Sequence, residues 1–587
     1  MVCFSCKKKS GPVVQKVVDK PWQGDPASIP AALQKANPVA SQEAEKGGVL
    51  RLFGGQFPKS LNYYLEQFAT TGEVFSMMYE SLTNNDPITL EPIPHLAKEW
   101  KISANKKKFT FILDGNAKWS DGKPITAYDV LFTYETIMNP KNDTAIFRIG
   151  LSRFEKPVVK DASTVEFTAK DIHWNNFNTL SSILILPKHA YEGKDFNKIN
   201  FVFPVVSGPY ELKAAKKGRY IRMRRRGDYW QRAYPYTKGM YNFDEIFFKV
   251  SNERSLALQA FKKGDIDFYP VYTAQFWVQE AKGDKFTKNW IVKHRIFNQK
   301  PVGFQGWAMN MRRKIFQDRK VRKAISYLVP REMYIEKLMF NEYKKTHSYY
   351  PDFYLLGEKH SNEEFTYNQD IARKLFQEAG WKVNDKGYLE KDGVEMAFSM
   401  LERDQRSSKF VTPFIERAKE VGVKVKLETT DLPGWSKRMQ EYDYDITWVA
   451  WGGGIFKDPE AAWYSKYADE KGQNNYTGFK SAQVDALVEK QKTIFSVQKR
   501  NQIVKEIDKL VYKEYPYVLL WHLDNTRILY WNRFGMPKNP LGKYGGESFA
   551  YTYWWFHSGK AQDLENAIAD TKALQGESKE KVSNWEK

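Results

Sequence analysis

The sequence predicts a mixed α/β protein of several domains, and three observations carry that prediction. The chain has 587 residues, 42% of them hydrophobic and 15% aromatic, too many for one compact core and enough to fill two or three. Runs with period-two alternation, such as Val49–Phe53, Phe109–Leu113 and Thr164–Thr168, read as strands. Helical stripes lie between them: Val130, Leu131, Tyr134 and Ile137 share one face and mark an amphipathic helix. No stretch of about 18 consecutive apolar residues occurs, so no segment is long and apolar enough to cross a membrane as a helix.

Taken in chain order, residues 7–46 mix Pro, Gln, Ala, Ser and Lys with little periodicity and read as a linker. Order begins near Gly48, where the strand Val49–Phe53 is broken by Gly54-Gly55. Val74, Met77, Met78 and Leu82 place a helix over Glu73–Leu82. In Lys118–Glu135, Ser120-Asp121-Gly122 supplies a turn and Lys123-Pro124 an extended step. Thr126 is the N-cap, and Asp129 three residues on completes a capping-box-like start. Tyr220–Trp230 reads as a strand with a solvated charged face. Leu256–Phe268 is a helix closed by Gly264 and followed by a strand start. Tyr442–Trp451 is a buried strand that delivers aromatics and the glycines 452–454 to one edge, and Pro516–His522 is a further strand. The tail past residue 560 is charged, with a helix as one option.

The net charge of +21 comes from 91 basic residues scattered among 70 acidic ones. Without long basic tracts, nucleic acid is not the expected partner, and adhesion to anionic surfaces stays open. Cys3 and Cys6 are the two cysteines, so no disulfide braces the body. Cys3-Phe-Ser-Cys6 lacks the strand and helix that a redox pair requires. Ser5-Cys6 instead reads as a lipoprotein acylation site with a polar tether behind it, although residues 1–5 are too short to hold a signal peptide's apolar core. No G-x-S-x-G elbow, H-E-x-x-H, phosphate-binding loop or paired Cys/His metal set appears, so neither catalysis nor a metal or other cofactor is expected. His173, His189 and His294 have no ligand-like partner at helical or strand spacing. A glycosidase carboxylate pair is not excluded by counting.

Lys118–Glu135 resembles the signature F-x-D-G-x-P-x-T-A-x-D-V-x-F-T/S-x-E of the family 5 extracellular solute-binding proteins (cluster C), the oligopeptide- and dipeptide-binding receptors of ABC importers. Other runs match in family order over about 49–550. Leu256–Phe268 resembles A-x-x-A-x-x-x-G-x-I/V-D, and Gly303–Tyr327 resembles the step into a second lobe, with Ile315 in place of the usual proline. Val206–Leu212 is similar to a G-S/T-G-P-Y return in which Val206 replaces the first glycine. Asn310-Met-Arg-Arg and Asn341–Tyr350 look most like the branch associated with oligopeptides and microcin C-like conjugates.

The resemblance implies a periplasmic-binding-protein-like type II fold: two large α/β lobes with a hinge, plus a small β-rich inserted lobe. The limits it implies are a tether over 1–46, lobe I over 47–90, 205–300 and 523–560, the small lobe over 91–204, lobe II over 301–522 and a charged tail over 561–587. It implies a monomeric receptor in the periplasm or cell envelope, free of catalysis, that hands peptide or peptide-like solutes to membrane permease subunits and touches the membrane only through a lipid on Cys6. The runner-up is a lipid-anchored adhesin for polyanions, and a carbohydrate-active enzyme ranks below it.

A peptide receptor needs open backbone, aromatic walls and a few charges. The expected ligand-binding set is Phe53, Gly54, Tyr79, Trp307, Asn310, Arg312, Trp451, Gly452, Gly453, Asp458 and Trp521, with Trp448 a further wall candidate. For each tryptophan a core position is the competing reading. In the family a carboxylate just past the strand matching 445–451 commonly pairs with a peptide α-amino group. Here Gly453 and Gly454 stand there, which puts that pairing in question and leaves Asp458 as the next carboxylate, or as a turn former before Pro459.

Overall fold

A computed structural model describes residues 16–355, 358–576 and 580–585. The chain divides into two units. Unit 1 is built from residues up to Tyr272, Ala281–Asn298 and Thr526 onward, and unit 2 from Thr273–Glu280 and Gln299–Asn525. Cys3 and Cys6 lie outside the described residues.

Unit 1 is organised by an eight-stranded mixed sheet in the order Lys581–Asn584, Ile291–Phe297, Thr526–Trp531, Phe268–Pro270, Val49–Phe53, Glu245–Lys249, Tyr220–Arg225, Tyr210–Lys216. The alternation of Val49–Phe53 buries Leu50 and Leu52. A separate four-stranded antiparallel sheet orders Ala97–Ile102, Lys108–Leu113, Thr164–Thr168 and Val158–Asp161. Its inward residues Phe109, Phe111, Val165 and Phe167 belong to the same hydrophobic cluster as Leu50 and Leu52. The stretch 91–204 therefore shares one core with the large sheet.

Helix boundaries shift by a few residues from the periodicity. The first long helix is Ala69–Met78, not 73–82, because Tyr79 turns extended and its hydroxyl bonds Tyr191 and the Val205 carbonyl. The helix Ala127–Met138 starts as predicted, with a capping box formed by Thr126 and Asp129. The buried Asp129 carboxylate accepts the Thr126 N–H at 2.8 Å and the Lys188 N–H at 2.8 Å, so the cap also anchors a distant loop. Gly264 closes the helix Arg254–Lys263 at φ 90°, a left-handed cap that favours glycine.

Three expectations need correction in unit 1. The stretch 16–46, read as a linker, is packed: Val17, Ile29, Leu33 and Val39 are buried. Backbone bonds such as Lys20 N–H to the Gly227 carbonyl at 2.7 Å, and the Trp22 indole to the Trp230 carbonyl at 2.7 Å, hold it. Its low periodicity reflects an irregular strap, which buries side chains without a helical or strand repeat. The arginines of 222–226 are not all solvated: Arg225 and Arg226 are each 5% exposed. Arg225 pairs with Asp19 and Asp244, and Arg226 bonds the carbonyls of Val206, Ser207 and Gly208 and the Asp228 carboxylate. These two arginines of the densest basic cluster are thus spent internally. The tail, finally, is an integral part of the sheet: after the helix Ser558–Ala569, Lys581–Asn584 pairs in parallel with Ile291–Phe297.

Unit 2 is built on a five-stranded sheet in the order Lys424–Thr429, Ala397–Glu402, Ile446–Ala450, Gln305–Met309, Tyr517–Leu519. The first three strands run parallel, and Gln305–Met309 is antiparallel to both its neighbours. Helices Arg319–Tyr327, Gln369–Glu378, Ser408–Glu420 and Val497–Tyr512 contribute buried faces to a second hydrophobic cluster around Trp307, Met400 and Val518.

Loss of the Asp129 carboxylate leaves two backbone donors without their acceptor, which costs on the order of 1–3 kcal/mol. Asp129→Ala is expected to lower the unfolding free energy of unit 1, read from urea titration, by that amount. Asp121→Ala, which removes an exposed contact to His189, should stay within about 0.5 kcal/mol.

Candidate functional site

In unit 2 the parallel strands Ala397–Glu402 and Ile446–Ala450 end on the same side as the start of Gln305–Met309, because Gln305 pairs with Ala450 and Met400 with Ile446. Carboxyl ends of parallel strands are where open α/β sheets place ligands. A cavity of about 430 Å³ opens there, walled by Trp435, Trp448, Trp451, Phe410 and Tyr476 and carrying Gln305, Glu402, Arg403, Asp404, Arg406 and Ser407. That volume falls within the range of small-molecule sites, about 300–1,000 Å³.

Each indole is held by its neighbours. Trp448 donates to the Gln305 side-chain carbonyl at 3.2 Å, and Gln305 in turn donates to the Trp521 carbonyl at 3.1 Å. Trp435 donates to Thr447 Oγ1 at 2.9 Å, and that hydroxyl donates to the Leu401 carbonyl at 2.7 Å. Trp451 donates to the Tyr517 hydroxyl at 3.3 Å and lies 5.3 Å from the Tyr476 ring. With their N–H groups occupied behind the wall, the rings offer π surface to the cavity, a surface suited to apolar and cationic groups.

Glu402, the last residue of its strand, is the unusual group. Its side chain is 3% exposed, and its Oε1 has no hydrogen-bond partner. Burial raises its pKa from the ordinary 4.5 to about 7; a hydrogen bond from Ser407 and the charge of Arg403 act the other way, and Asp404 adds to the rise. A buried carboxylate with an unused oxygen beside aromatic walls is an acceptor awaiting a donor. The other charges are partly engaged: Asp404 accepts from the Arg406 guanidinium at 2.6 Å, and Arg403 lies over the Trp435 ring at 5.9 Å.

Of the residues expected from sequence, Trp451 lines this cavity, as does Trp448. Trp307 does not: although it is the cross-strand partner of Trp448, it is fully buried against Phe414 and Trp448. Asn310 is 1% exposed and donates to the carbonyls of Tyr442 and Tyr444, a tie between strands. Arg312 stacks on Tyr442 and donates to the carbonyls of Asn475, Tyr476 and Ala468, so it staples loops and is not turned to a ligand. Trp521 is buried behind Trp448 and Phe410.

Gly452 and Gly453 are exposed beyond the strand end without lining the cavity. Asp458 accepts the Glu460 N–H at 3.1 Å, as a turn-forming Asp does. In unit 1, Tyr79 is core. Phe53 packs on Tyr269 at 5.8 Å, and Gly54 N–H bonds the Lys249 carbonyl at 2.8 Å. Sequence reasoning missed Glu402, Trp435, Phe410 and Tyr476. The signal for Glu402 was a charged Leu-Glu-Arg-Asp run immediately after an apolar strand.

A folded-state pKa above the unfolded value means that the native state binds the extra proton between about pH 4.5 and 7, so stability falls as pH rises through that window. Unit 2 is expected to lose on the order of 1–3 kcal/mol across it, and Glu402→Gln, followed by urea unfolding at several pH values, should flatten that slope.

Comparison with known proteins agrees with the fold. The "Probable peptide-binding protein YejA" of Agrobacterium fabrum is 27% identical over 567 residues, 88% of this chain and 90% of that protein. The oligopeptide-binding protein AppA of Bacillus subtilis, solved with a nonapeptide, superposes with a TM-score of 0.71 at 22% identity, covering 88% of this chain and all of that one. DppA of Helicobacter pylori, solved with the peptide STSA, gives a TM-score of 0.72 at 19% identity over 88% of this chain and 99% of that one. These neighbours have the type II periplasmic-binding-protein fold. The family model described as "Bacterial extracellular solute-binding proteins, family 5 Middle" matches residues 91–474, and the chain belongs to the family 5 bacterial extracellular solute-binding proteins.

Proposed function

We propose that the chain is a receptor for peptides or peptide-like solutes that carry a cationic group, and that it delivers them to the permease subunits of an ABC importer without changing them chemically. The observation that carries this reading is the unused Glu402 oxygen in a cavity walled by Trp435, Trp448, Trp451 and Tyr476. An ammonium or guanidinium placed there gains a charge-assisted hydrogen bond and ring faces together. The peptide-bound relatives of the same fold support peptide as the ligand class. Transport requires only that ligand binding favour one state of the receptor over another.

The same reading places the receptor in the periplasm or cell envelope as a monomer, with an acyl chain on Cys6 as its tether. Cys6→Ser should then move the protein from the membrane fraction to the soluble envelope fraction.

Native mass spectrometry of freshly purified protein is expected to find peptide-like ligands bearing a free amine or guanidinium. Peptide mixtures should raise the melting temperature; absence of both effects would sink the reading. Trp451→Ala is expected to weaken binding about tenfold, the scale of one lost aromatic anchor. Glu402→Gln should weaken it comparably at pH 8 and much less at pH 6, where Glu402 is already protonated. Calorimetric titration at the two pH values measures both.

A further inference from the structure

Away from the indole cavity, unit 2 brings two histidines and a glutamate together. His347 Nε2 lies 3.9 Å from Glu364 Oε2, and His360 Nε2 lies 3.8 Å from Glu364 Oε1. The three donor atoms sit within 4.8 Å of one another. At these separations neither imidazole is hydrogen-bonded to the carboxylate. The two rings stack with centroids 5.1 Å apart, and His360 Nδ1 is buried without a partner. Hydrogen bonding therefore does not account for the cluster.

We propose that His347, His360 and Glu364 bind one divalent transition-metal ion, zinc being the best fit. Two imidazoles and a carboxylate are a zinc donor set that leaves a fourth position for water. With metal–ligand distances of about 2.0–2.2 Å, tetrahedral donors stand roughly 3.4 Å apart. The two His–Glu separations are thus about half an ångström too wide, and the two imidazoles, no more than 4.8 Å apart, must close on each other as the exposed Glu364 side chain rotates in. Its side chain is 61% exposed against 12% and 21% for the two histidines, so the open position faces water.

The backbone beneath the donors is already held. Asn362 donates to the His347 carbonyl at 2.8 Å and to Asp508 at 3.2 Å. Asp508, on the helix Val497–Tyr512, also accepts from Tyr349 N–H at 2.7 Å and Ser348 Oγ at 2.8 Å. One buried carboxylate fixes both segments that supply donors, which reduces the ordering cost of binding. A bound ion would cross-link residues 347 and 360–364 and stabilise unit 2. Copper and nickel are the competing occupants, as first-row affinities run.

The test uses full-length, tag-free protein with Cys3 and Cys6 changed to serine, because those thiols are themselves zinc ligands. After dialysis against a chelator, calorimetric titration with ZnCl2 is expected to show one saturable site, and Co²⁺ to give the visible absorption of a tetrahedral complex. His347→Ala and His360→Ala should each weaken zinc binding at least about a hundredfold, the upper end of what loss of an outer partner costs. His189→Ala, in unit 1, should leave it unchanged. Zinc should also raise the melting temperature of the parent protein but of neither cluster variant. Absence of a saturable site overturns the proposal, as does parental affinity in a folded His360→Ala protein. The latter variant carries the test if His347→Ala fails to fold.

Discussion

The register of the five-stranded sheet in unit 2 is the constraint on which the site depends. Ile446–Ala450 is pinned on both sides, parallel to Ala397–Glu402 and antiparallel to Gln305–Met309. That double pairing brings Glu402, Ala450 and Gln305 to one edge. A slip of one residue would turn Trp448 to the opposite face and remove a wall. The buried ties of Asn310 to Tyr442 and Tyr444 and of Thr447 to Leu401 lock the register with side-chain bonds as well as backbone ones. These residues do not touch the cavity, yet they decide where it is.

Burying a carboxylate costs free energy that nothing within the cavity fully offsets. Glu402 keeps an unused oxygen and a pKa near 7, whereas two other buried carboxylates are well supplied with donors. Glu80 accepts from Tyr229 at 2.6 Å and Trp230 at 2.8 Å, and Asp129 accepts from two backbone N–H groups. Such local destabilisation is characteristic of groups that complete their bonding only with a ligand. Arg312 differs again: its terminal nitrogens donate to loop carbonyls.

Much of the fold was legible in the residues because local signals and tertiary packing agree there. The capped helix at Thr126, the glycine closure at Gly264 and the alternation of Val49–Phe53 all appear where periodicity put them. The strap 16–46 was not legible, since irregular backbone buries side chains without a period. The site was only partly legible. An aromatic on a strand can face either the core or a cavity: Trp307 and Trp448 are cross-strand partners on one face, and only the packing of Phe414 against Trp307 and the place of Trp448 at the cavity separate them. Glu402 and Trp435 come from separate segments that only the parallel pairing of strands brings together.

The most direct measurement of the central claim is a crystal structure of the protein with its co-purified ligand retained. The account predicts a cationic group of that ligand within hydrogen-bond distance of Glu402 and against the rings of Trp435, Trp448 or Trp451. A ligand bound elsewhere, with only water beside Glu402, would contradict it.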